Sequence, residues 1–324
     1  GIRIIDNLPD KVTIIASYGL GQAVRYNSTG LTGGRVGIVS CKASSLRTEL
    51  SRLLAAENMT WISPHGGPTA ASSSRAKESY LFAMVTASTC DRWVELIKQS
   101  GIGILHFNPV YQSAGHYFPR ASSWNPNGTQ RLRDCIKKVH DAGALAGVHT
   151  LTGDIGQTDS YVTPIPHPNL ATDRSFTLMS AVIANATTIV TDSAPDPKWD
   201  VIWSYWGKGN VIRIGDELIQ YSGMNTVAPP FGFTGCTRGA FGTSKAFHLA
   251  GATVSHLSVG STAFLPDWKS SLVDNIANNI ADLFSAGFDF LYQDGADTMV
   301  GGAAGQALMR RKSFMSLRTP ATIE

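Results

Sequence analysis

The stretch FDFLYQDGAD, residues 288–297, is a short apolar run that ends on an acid followed by a glycine. It closes a pattern that occurs three times: a helix-like segment ends at a small residue plus glycine, and an apolar run follows. The copies are SG at 100–101 before IGILHFN, AG at 142–143 before ALAGVHT, and AG at 286–287 before FDFLYQD. Helix, glycine cap, buried strand and polar strand end form the unit of a parallel α/β fold. Since chemistry in such folds lies at the carboxyl ends of strands, Asp294 is the first candidate for a functional carboxylate.

The seventh residue after each glycine is polar in all three copies: Asn108, Thr150 and Asp294. If the three strands align in equal register, these residues lie at one rim of the sheet. In that register His106 shares a strand face with Asn108, and His149 takes the opposite face. The stagger of a barrel can still bring the two histidines to one cleft.

The pattern predicts an α/β fold that resembles a (β/α)8 (TIM) barrel. The predicted strands are residues 12–16, 35–41, 79–87, 102–108, 144–150 and 288–294, with helices at 45–56, 90–99, 129–141 and 272–284. These strands are fewer than the eight of a closed barrel, which leaves two explanations. Either two strands are unrecognised, or the chain continues beyond residue 324. After residue 298 only a weak further element is visible, near 307–317.

Residues 175–258 differ from the rest, because alternating β-rich runs separated by turns replace the helix period. We predict an inserted all-β module here, between a first barrel part at 1–174 and its remainder at 259–324. The segment that starts IRIGDELIQYSG and ends RGAFGTSKAFHLAGATVSHL resembles a small β module of phage tail and other extracellular proteins. The resemblance implies an architectural or binding module, and Glu217 within it is expected to be structural.

The strand DFLYQDG resembles the nucleophile strand of barrel glycoside hydrolases of the α-galactosidase and α-fucosidase kind. The order GILHFN, KKVHDAGALAGVH, FDFLYQDG is similar to theirs as well. The resemblance covers residues 79–150 and 270–297 and implies that Asp294 attacks an anomeric carbon. The partner acid has no matching motif.

Composition excludes several classes of protein. A formal net charge of +3 over 324 residues does not favour a nucleic-acid partner, and no apolar run is long enough to span a membrane. The chain begins at Gly1 without a methionine or signal peptide, which is typical of a processed or partial product. No P-loop, GxSxG elbow, HExxH or CxxC motif is present, so we predict no cofactor and no metal.

Four sequons suggest a secreted, extracellular glycoprotein. They lie at Asn27, Asn58, Asn127 and Asn185. Cys135 falls on the apolar side of a predicted helix, where we expect a buried thiol. One or two disulfides remain open for the chain, which has 4 cysteines.

Two further acids are candidates for the site around Asp294. Asp154 follows strand 144–150 at the corresponding end and is the candidate for the second carboxylate of an acid–base pair. Asp297 lies close enough to Asp294 in the chain to share its site. Each of the three also has a plainer interpretation, as a residue that caps or solvates a turn.

Candidate substrate-binding residues come from the strands and from the long loop 109–128. His106, Asn108 and His149 can bind sugar hydroxyls, hold a metal or supply a base, although a histidine on a buried strand is more often a core residue. The loop adds Tyr111, His116, Tyr117 and Trp124, whose rings suit stacking on sugars; self-packing of the loop is the alternative.

Three functions remain. The expected partner is a glycan or, through self-assembly, further copies of the chain. The first is a glycoside hydrolase that uses Asp294. The second is a polysaccharide lyase with Tyr111 or His116 as base and Asn108 or His149 neutralising a uronate. The third is a non-catalytic extracellular structural or adhesive subunit, for example of a filament. Fold alone does not separate them.

Overall fold

The computed structural model describes residues 2–8, 11–16, 40–56, 78–108, 110–203, 209–260, 262–295, 299–318 and 322–323. The first elements are β1 (Ile2–Leu8), β2 (Lys11–Ala16), α1 (Leu46–Ala56), β3 (Tyr80–Ala83), α2 (Cys90–Ser100), β4 (Ile104–Phe107), α3 (Ala121–Trp124), α4 (Gly128–Asp141) and β5 (Leu145–Leu151). Short strands follow: β6 (Ile155–Gly156), β7 (Thr172–Thr177), β8 (Thr188–Val190), β9 (Val211–Ile214), β10 (Glu217–Gln220), β11 (Gly223–Asn225), β12 (Gly232–Thr234), β13 (Thr253–Leu257), β14 (Val259–Gly260) and β15 (Ala263–Phe264). The last elements are α5 (Leu272–Phe284), β16 (Phe290–Asp294), α6 (Gly302–Ser316) and β17 (Thr322–Ile323).

The central sheet is parallel and runs in the order β3-β4-β5-β16-β17. Each strand of this sheet pairs with the strand of the same sheet that follows it along the chain. This is the order of a (β/α)8 barrel; in a doubly wound sheet the order reverses. The predicted fold class is therefore confirmed. Within the described part of the chain the sheet does not close, since β3 and β17 are its edges. Tyr80 and Phe82 of β3 remain 44% and 39% exposed on the inner face.

The outer face of the sheet carries the main core. Leu105 and Phe107 of β4 and Val148 of β5 are fully buried there, against the apolar faces of the helices. Each helix contributes residues spaced by three or four: Val94 and Ile97 from α2, Leu132, Ile136 and Val139 from α4, and Ile276, Ile280 and Phe284 from α5. Burial of each large side chain of this kind contributes about 2 kcal/mol relative to exposure. This packing fixes the strand ends that face the candidate site.

The predicted glycine caps are present at the helix ends. Gly101 has φ +70° and donates its N–H to the carbonyl of Ile97, which ends α2. Gly143 has φ +84° after α4 and donates to the carbonyl of His140. A left-handed residue at this position turns the chain out of the helix and toward the next strand. The repeating unit inferred from the sequence is thus a structural unit.

The register between strands differs from the predicted one. His106 pairs with Gly147, and Asp294 pairs with Leu151, so each ladder is offset by one residue from equal register. His106 and His149 therefore share the inner face, and Thr150 is fully buried on the other side. The physical reason lies at Gly147, where a Cβ would stand 2.5 Å from the imidazole of His106. Only glycine permits this register opposite a ring.

The N-terminal strand prediction was only partly correct. Residues 12–16 lie in β2, but β2 pairs antiparallel with β1 and not with the parallel sheet. Of the predicted strand 35–41, residues 35–39 lie outside the described ranges, and residues 40–41 are not in a strand. Helix α6, with 15 residues, is longer than the weak element expected near 307–317, and strand β17 lies beyond it.

Cys90 and Cys135 form a disulfide that joins α2 to α4, with Cα atoms 6.0 Å apart. The expectation of a buried thiol at Cys135 was wrong: the residue is buried, but it is bonded. Cys41 is a free, exposed thiol and Cys236 a free, buried one. Burial raises the pKa of the Cys236 thiol to about 12, so it is not a reactive thiolate.

Replacing both Cys90 and Cys135 by alanine is expected to lower the free energy of unfolding by about 3 kcal/mol. The disulfide restricts the unfolded chain across a sequence separation of 45 residues. Urea denaturation without reductant measures the loss, with Cys41→Ala as the control. Equal stability of the double variant and the native chain would contradict this prediction.

The antiparallel strands between Thr172 and Leu257 form two sheets, β10-β9-β13-β7 and β11-β12-β8. They enclose a core of their own, distinct from that of the parallel sheet. Its largest fully buried residues include Tyr221 and Phe233, with Ile189, Ile219 and Val254 beside them. In the described residues of this region the only helical turn is Ala240–Gly242. The all-β character matches the alternation of the sequence; the exact boundaries 174/175 and 258/259 stay a prediction.

A buried carboxylate lies at the centre of this β region. Glu217 accepts hydrogen bonds from Nε and Nη2 of Arg238, at 2.8 and 2.6 Å, and from Nε2 of His248, at 2.8 Å. The backbone N–H groups of Gly239 and Ala246 complete the set. Burial alone would raise the pKa of Glu217, but these donors together lower it. Glu217 thus holds the loops that carry Arg238 and His248 to strand β10.

Candidate functional site

The candidate site lies at the carboxyl ends of β4, β5 and β16. Asn108 follows β4, the turn with Asp154 follows β5, and Asp294 is the last residue of β16. Loop 110–120 covers this rim. The structure therefore brings one predicted residue from each strand end to the same edge of the sheet.

Asp294 combines an open carboxylate with a fixed position. Its side chain is 50% exposed. Oδ1 accepts the N–H of Gly295 at 2.8 Å, and Oδ2 lies 3.2 Å from Nε2 of His149. The backbone is anchored as well, because the N–H of Thr152 donates to the Asp294 carbonyl at 2.6 Å. One oxygen thus caps the turn, and the other, held by a histidine, faces the rim.

His149 acts as the partner of that second oxygen. Because a carboxylate only accepts, Nε2 carries the proton of this hydrogen bond. The ring stacks on Tyr292 with centroids 5.3 Å apart, and its side chain is 13% exposed. Nδ1 is buried without a partner among the described residues. His149 therefore orients Asp294 from the inner face.

His106 lies deeper on the same face and is fully buried. Its ring stacks on Phe82 at 4.7 Å and meets Phe290 edge-on at 5.0 Å. Burial, and secondarily the charge of His149, lowers the pKa of His106 to about 4. It is a neutral member of an aromatic layer below the rim, which matches the core interpretation of this residue.

The lowered pKa of His106 has a measurable consequence for stability. Between its unfolded value of 6.5 and its folded value of about 4, the unfolded chain binds a proton that the folded chain does not. Stability is thus complete above pH 6.5 and falls as the pH drops toward 4. We expect a loss of about 2 kcal/mol from pH 7 to pH 4.5, measured by urea denaturation. His106→Phe should lose less than the native chain; an identical pH slope in both would contradict the assignment.

Two tyrosines of the covering loop hold the end of β5. The N–H of Leu151 donates to Oη of Tyr111 at 3.0 Å, and Oη of Tyr117 donates to the Leu151 carbonyl at 2.7 Å. Since Leu151 is the register partner of Asp294, this clamp fixes the strand beside the carboxylate. Tyr117 adopts φ +55°, a left-handed conformation that costs a non-glycine residue energy.

The pKa values of the same two tyrosines respond to the nearby carboxylates. Burial raises the pKa of Tyr111 and of Tyr117, and the negative charge of Asp154 raises both further. The charge of Asp294 also raises the pKa of Tyr111. Both carboxylates therefore lie within electrostatic reach of one hydroxyl. A tyrosine with a raised pKa is scarcely ionised near neutral pH, so Tyr111 offers almost no phenolate to act as the base of a lyase.

Asp154 differs from Asp294 in its surroundings. It is only 5% exposed, and its N–H donates to the carbonyl of Leu151 at 3.2 Å. Two carboxyl groups in unlike environments at one rim are the arrangement that acid–base chemistry on a glycosidic bond requires.

Trp124 and His116 do not form the sugar contacts at this rim that their residue types suggest. Trp124 is fully buried, stacks on Phe107 and donates Nε1–H to the carbonyl of Val110, so no face is free for a sugar. This corrects the prediction of a substrate contact there. His116 pairs with Asp159, a buried acid that the sequence analysis did not single out. Nothing in the chain near Asp159 marks it, because its partner lies far away in sequence.

The remaining predicted residues are partly or fully exposed, or lie outside the described ranges. Asn108 is partly exposed at the end of β4, and Asn127 and Asn185 are exposed sequons. Asp297, Asn27 and Asn58 lie outside the described residues. Within the described ranges no group of three or more His, Cys, Asp or Glu side chains is placed to hold a metal. No helix there has the length and apolar character needed to cross a bilayer.

No protein-family model and no curated protein matches the chain. Similar solved structures include a trehalose-6-phosphate hydrolase of Bacillus licheniformis, with 10% identity, a TM-score of 0.47, and 77% of this chain against 44% of that one. Another is an α-galactosidase of Lactobacillus brevis, with 11% identity, a TM-score of 0.35, and 74% against 24%. The chain spans less than half the length of either protein. Likeness of this degree assigns neither a substrate nor a reaction.

Proposed function

We propose that this chain is a carbohydrate-active protein, a glycoside hydrolase with Asp294 as catalytic carboxylate and Asp154 as the second carboxyl group. The observation that carries the proposal is the pair of carboxylates at one rim, one half-exposed and one buried, which both act on the charge state of Tyr111. An oxocarbenium-like transition state requires such a pair.

In the proposed reaction, Oδ2 of Asp294 attacks the anomeric carbon while the bond to the leaving-group oxygen breaks. Asp154 must be in its protonated form for this step, and it donates that proton to the leaving-group oxygen. A water molecule then attacks the glycosyl–Asp294 ester, Asp154 takes the water's proton, and free sugar and the Asp294 carboxylate result. His149, hydrogen-bonded to Oδ2, holds the attacking oxygen in place. Asn108 is the residue we assign to sugar hydroxyls, with Asp297 as a further candidate.

The proposal includes an extracellular location. The disulfide between Cys90 and Cys135 supports it, because structural disulfides persist in oxidising compartments. The exposed sequons at Asn127 and Asn185 are accessible to glycosylation.

The test is release of p-nitrophenol from the α- and β-anomers of aryl galactosides, fucosides and glucosides. We expect turnover of at least one of them, with the sugar product identified by proton NMR. Absence of turnover across the panel, together with the natural oligosaccharides of these sugars, would contradict the proposal.

A second candidate function is a structural or adhesive subunit. It is favoured by apolar side chains at the bridge between Val182 and His248 in the β region. Ile183, Phe247 and Leu249 are 58%, 57% and 68% exposed there, more apolar surface in one place than isolated surface residues give. Sedimentation of the native chain and of Phe247→Asp distinguishes the two: concentration-dependent assembly that the variant abolishes supports this candidate.

A further inference from the structure

A second group of polar residues lies away from Asp294, in a cleft between loop 110–120 and helix α5. The cleft has a volume of about 130 Å³ and is lined by His116, Phe118, Thr129, Asn279, Asp282 and Leu283, among others. A cavity of about 150 Å³ accommodates a six-membered ring in an engineered protein. Because the cleft is open to solvent on one side, it admits one ring of that size with its substituents pointing outward.

His116 is held rigidly at this cleft. Nδ1 lies 2.6 Å from Oδ1 of Asp159, and the backbone N–H of His116 donates to Oδ2 at 3.0 Å. Ser113 Oγ and the N–H of Tyr161 also donate to this carboxylate, which is fully buried. The ring of Tyr161 stacks on the imidazole at 4.0 Å. Because these contacts already fix the His116 side chain, little free energy is lost to side-chain ordering when a ligand binds.

The close approach of the carboxylate depends on a glycine. A Cβ on Gly115, which has φ +110°, would stand 2.9 Å from the carboxyl group of Asp159. Asn279 secures the same turn, since its Nδ2 donates to the carbonyl of Gly115 at 2.9 Å and to Oη of Tyr161 at 3.1 Å. Loop, acid and helix thus form one built unit.

This unit turns three polar groups to a ligand. Asp159 holds Nδ1 of His116, which leaves Nε2 as the ring nitrogen open to a ligand. With both N–H groups of Asn279 in use, its amide offers Oδ1. Asp282 contributes a carboxylate whose charge is balanced by Arg318 at 2.8 Å. Because that charge is already paired, a neutral donor such as a hydroxyl is favoured over an amine or a guanidinium.

An exposed aromatic ring forms the apolar side of the cleft. Phe118 is 64% exposed, an unusual position for a large aromatic ring, and it lies beside His116 at 5.4 Å. Aromatic faces pack on the C–H-rich faces of sugar rings while hydroxyls meet polar groups. We propose that this cleft is a carbohydrate-binding site for one pyranose ring, separate from the rim at Asp294. It shares the glycan partner of the proposed function but does not require catalysis there.

The test is binding of methyl α-glucoside, methyl α-galactoside and methyl α-fucoside, measured by saturation-transfer NMR and calorimetry on the whole chain without N-glycans. At least one glycoside should bind with a dissociation constant of about 1 mM, a free energy reasonable for one ring. Binding that a change at Phe118 weakens is assigned to the cleft, so that absence of turnover on the aryl glycosides leaves this proposal standing.

Phe118→Ala and His116→Ala should each weaken that binding about fivefold or more, through loss of the stacking face or of the ring nitrogen Nε2. Phe247→Ala, another exposed phenylalanine, is the matched control and should bind as the native chain does. Two outcomes overturn the proposal: no glycoside binds, or both cleft variants bind normally. Preferential binding of arginine methyl ester would also overturn it, because the ligand would then be a cation.

Discussion

Asp294→Asn is expected to lower turnover of the aryl glycosides by at least about 1,000-fold, with the melting temperature unchanged. The amide keeps the size of the side chain and can still accept the N–H of Gly295. It has no negative charge to attack the anomeric carbon or to stabilise positive charge on the sugar. The loss should appear in kcat, because the charge matters most in the transition state.

The matched control is Asp141→Asn, another exposed aspartate that pairs with Lys137 at the end of α4. It should retain full activity. Asp154→Asn should lose activity too, and more so on substrates with poor leaving groups, because the acid step limits those. Full activity of Asp294→Asn would remove it as the catalytic residue, whatever Asp154 does.

Glu217→Ala is expected to lower the free energy of unfolding by about 4 kcal/mol, because it leaves Arg238 buried without its counter-ion. The guanidinium is 2% exposed and the carboxylate is fully buried. Two backbone N–H groups, of Gly239 and Ala246, also lose their acceptor. Each unsatisfied buried donor adds to the cost.

Asp216→Asn is the control, since it breaks the neighbouring ion pair with Arg213 on the same hairpin. That pair spans 3.8 Å, and Asp216 is 72% exposed, so we expect a change of less than about 1 kcal/mol. Chemical denaturation of the three proteins provides the comparison. Equal stability of Glu217→Ala and Asp216→Asn would show that the buried cluster does not hold the β region together.

Local features of the fold were predictable from sequence, and the pairing between distant segments was not. The helix ends at Gly101 and Gly143 follow from neighbouring residues, because a glycine cap acts within one turn. Register depends on contacts between strands that are far apart in sequence. The missing Cβ of Gly147 gains its meaning only once His106 is known to lie opposite it.

In the candidate site, too, local features were predictable from sequence and contacts between distant segments were not. Asp294 was found because a strand, an acid and a glycine stand together in the chain. The pairing of His116 with Asp159 spans 43 residues and has no local mark. Trp124 was misassigned because its residue type suits sugars, whereas its position packs it against Phe107. Residue type indicates what a side chain can do, and burial decides whether it can meet a ligand.

The tyrosine clamp on Leu151 has a consequence for hydrogen exchange. The amide proton of Leu151 is bonded to a side chain of loop 110–120, at Tyr111 Oη. It exchanges with solvent when that loop detaches, without any strand separating. The exchange rate of this one amide, compared with that of its neighbours in β5, therefore gives the free energy of opening the loop over Asp294.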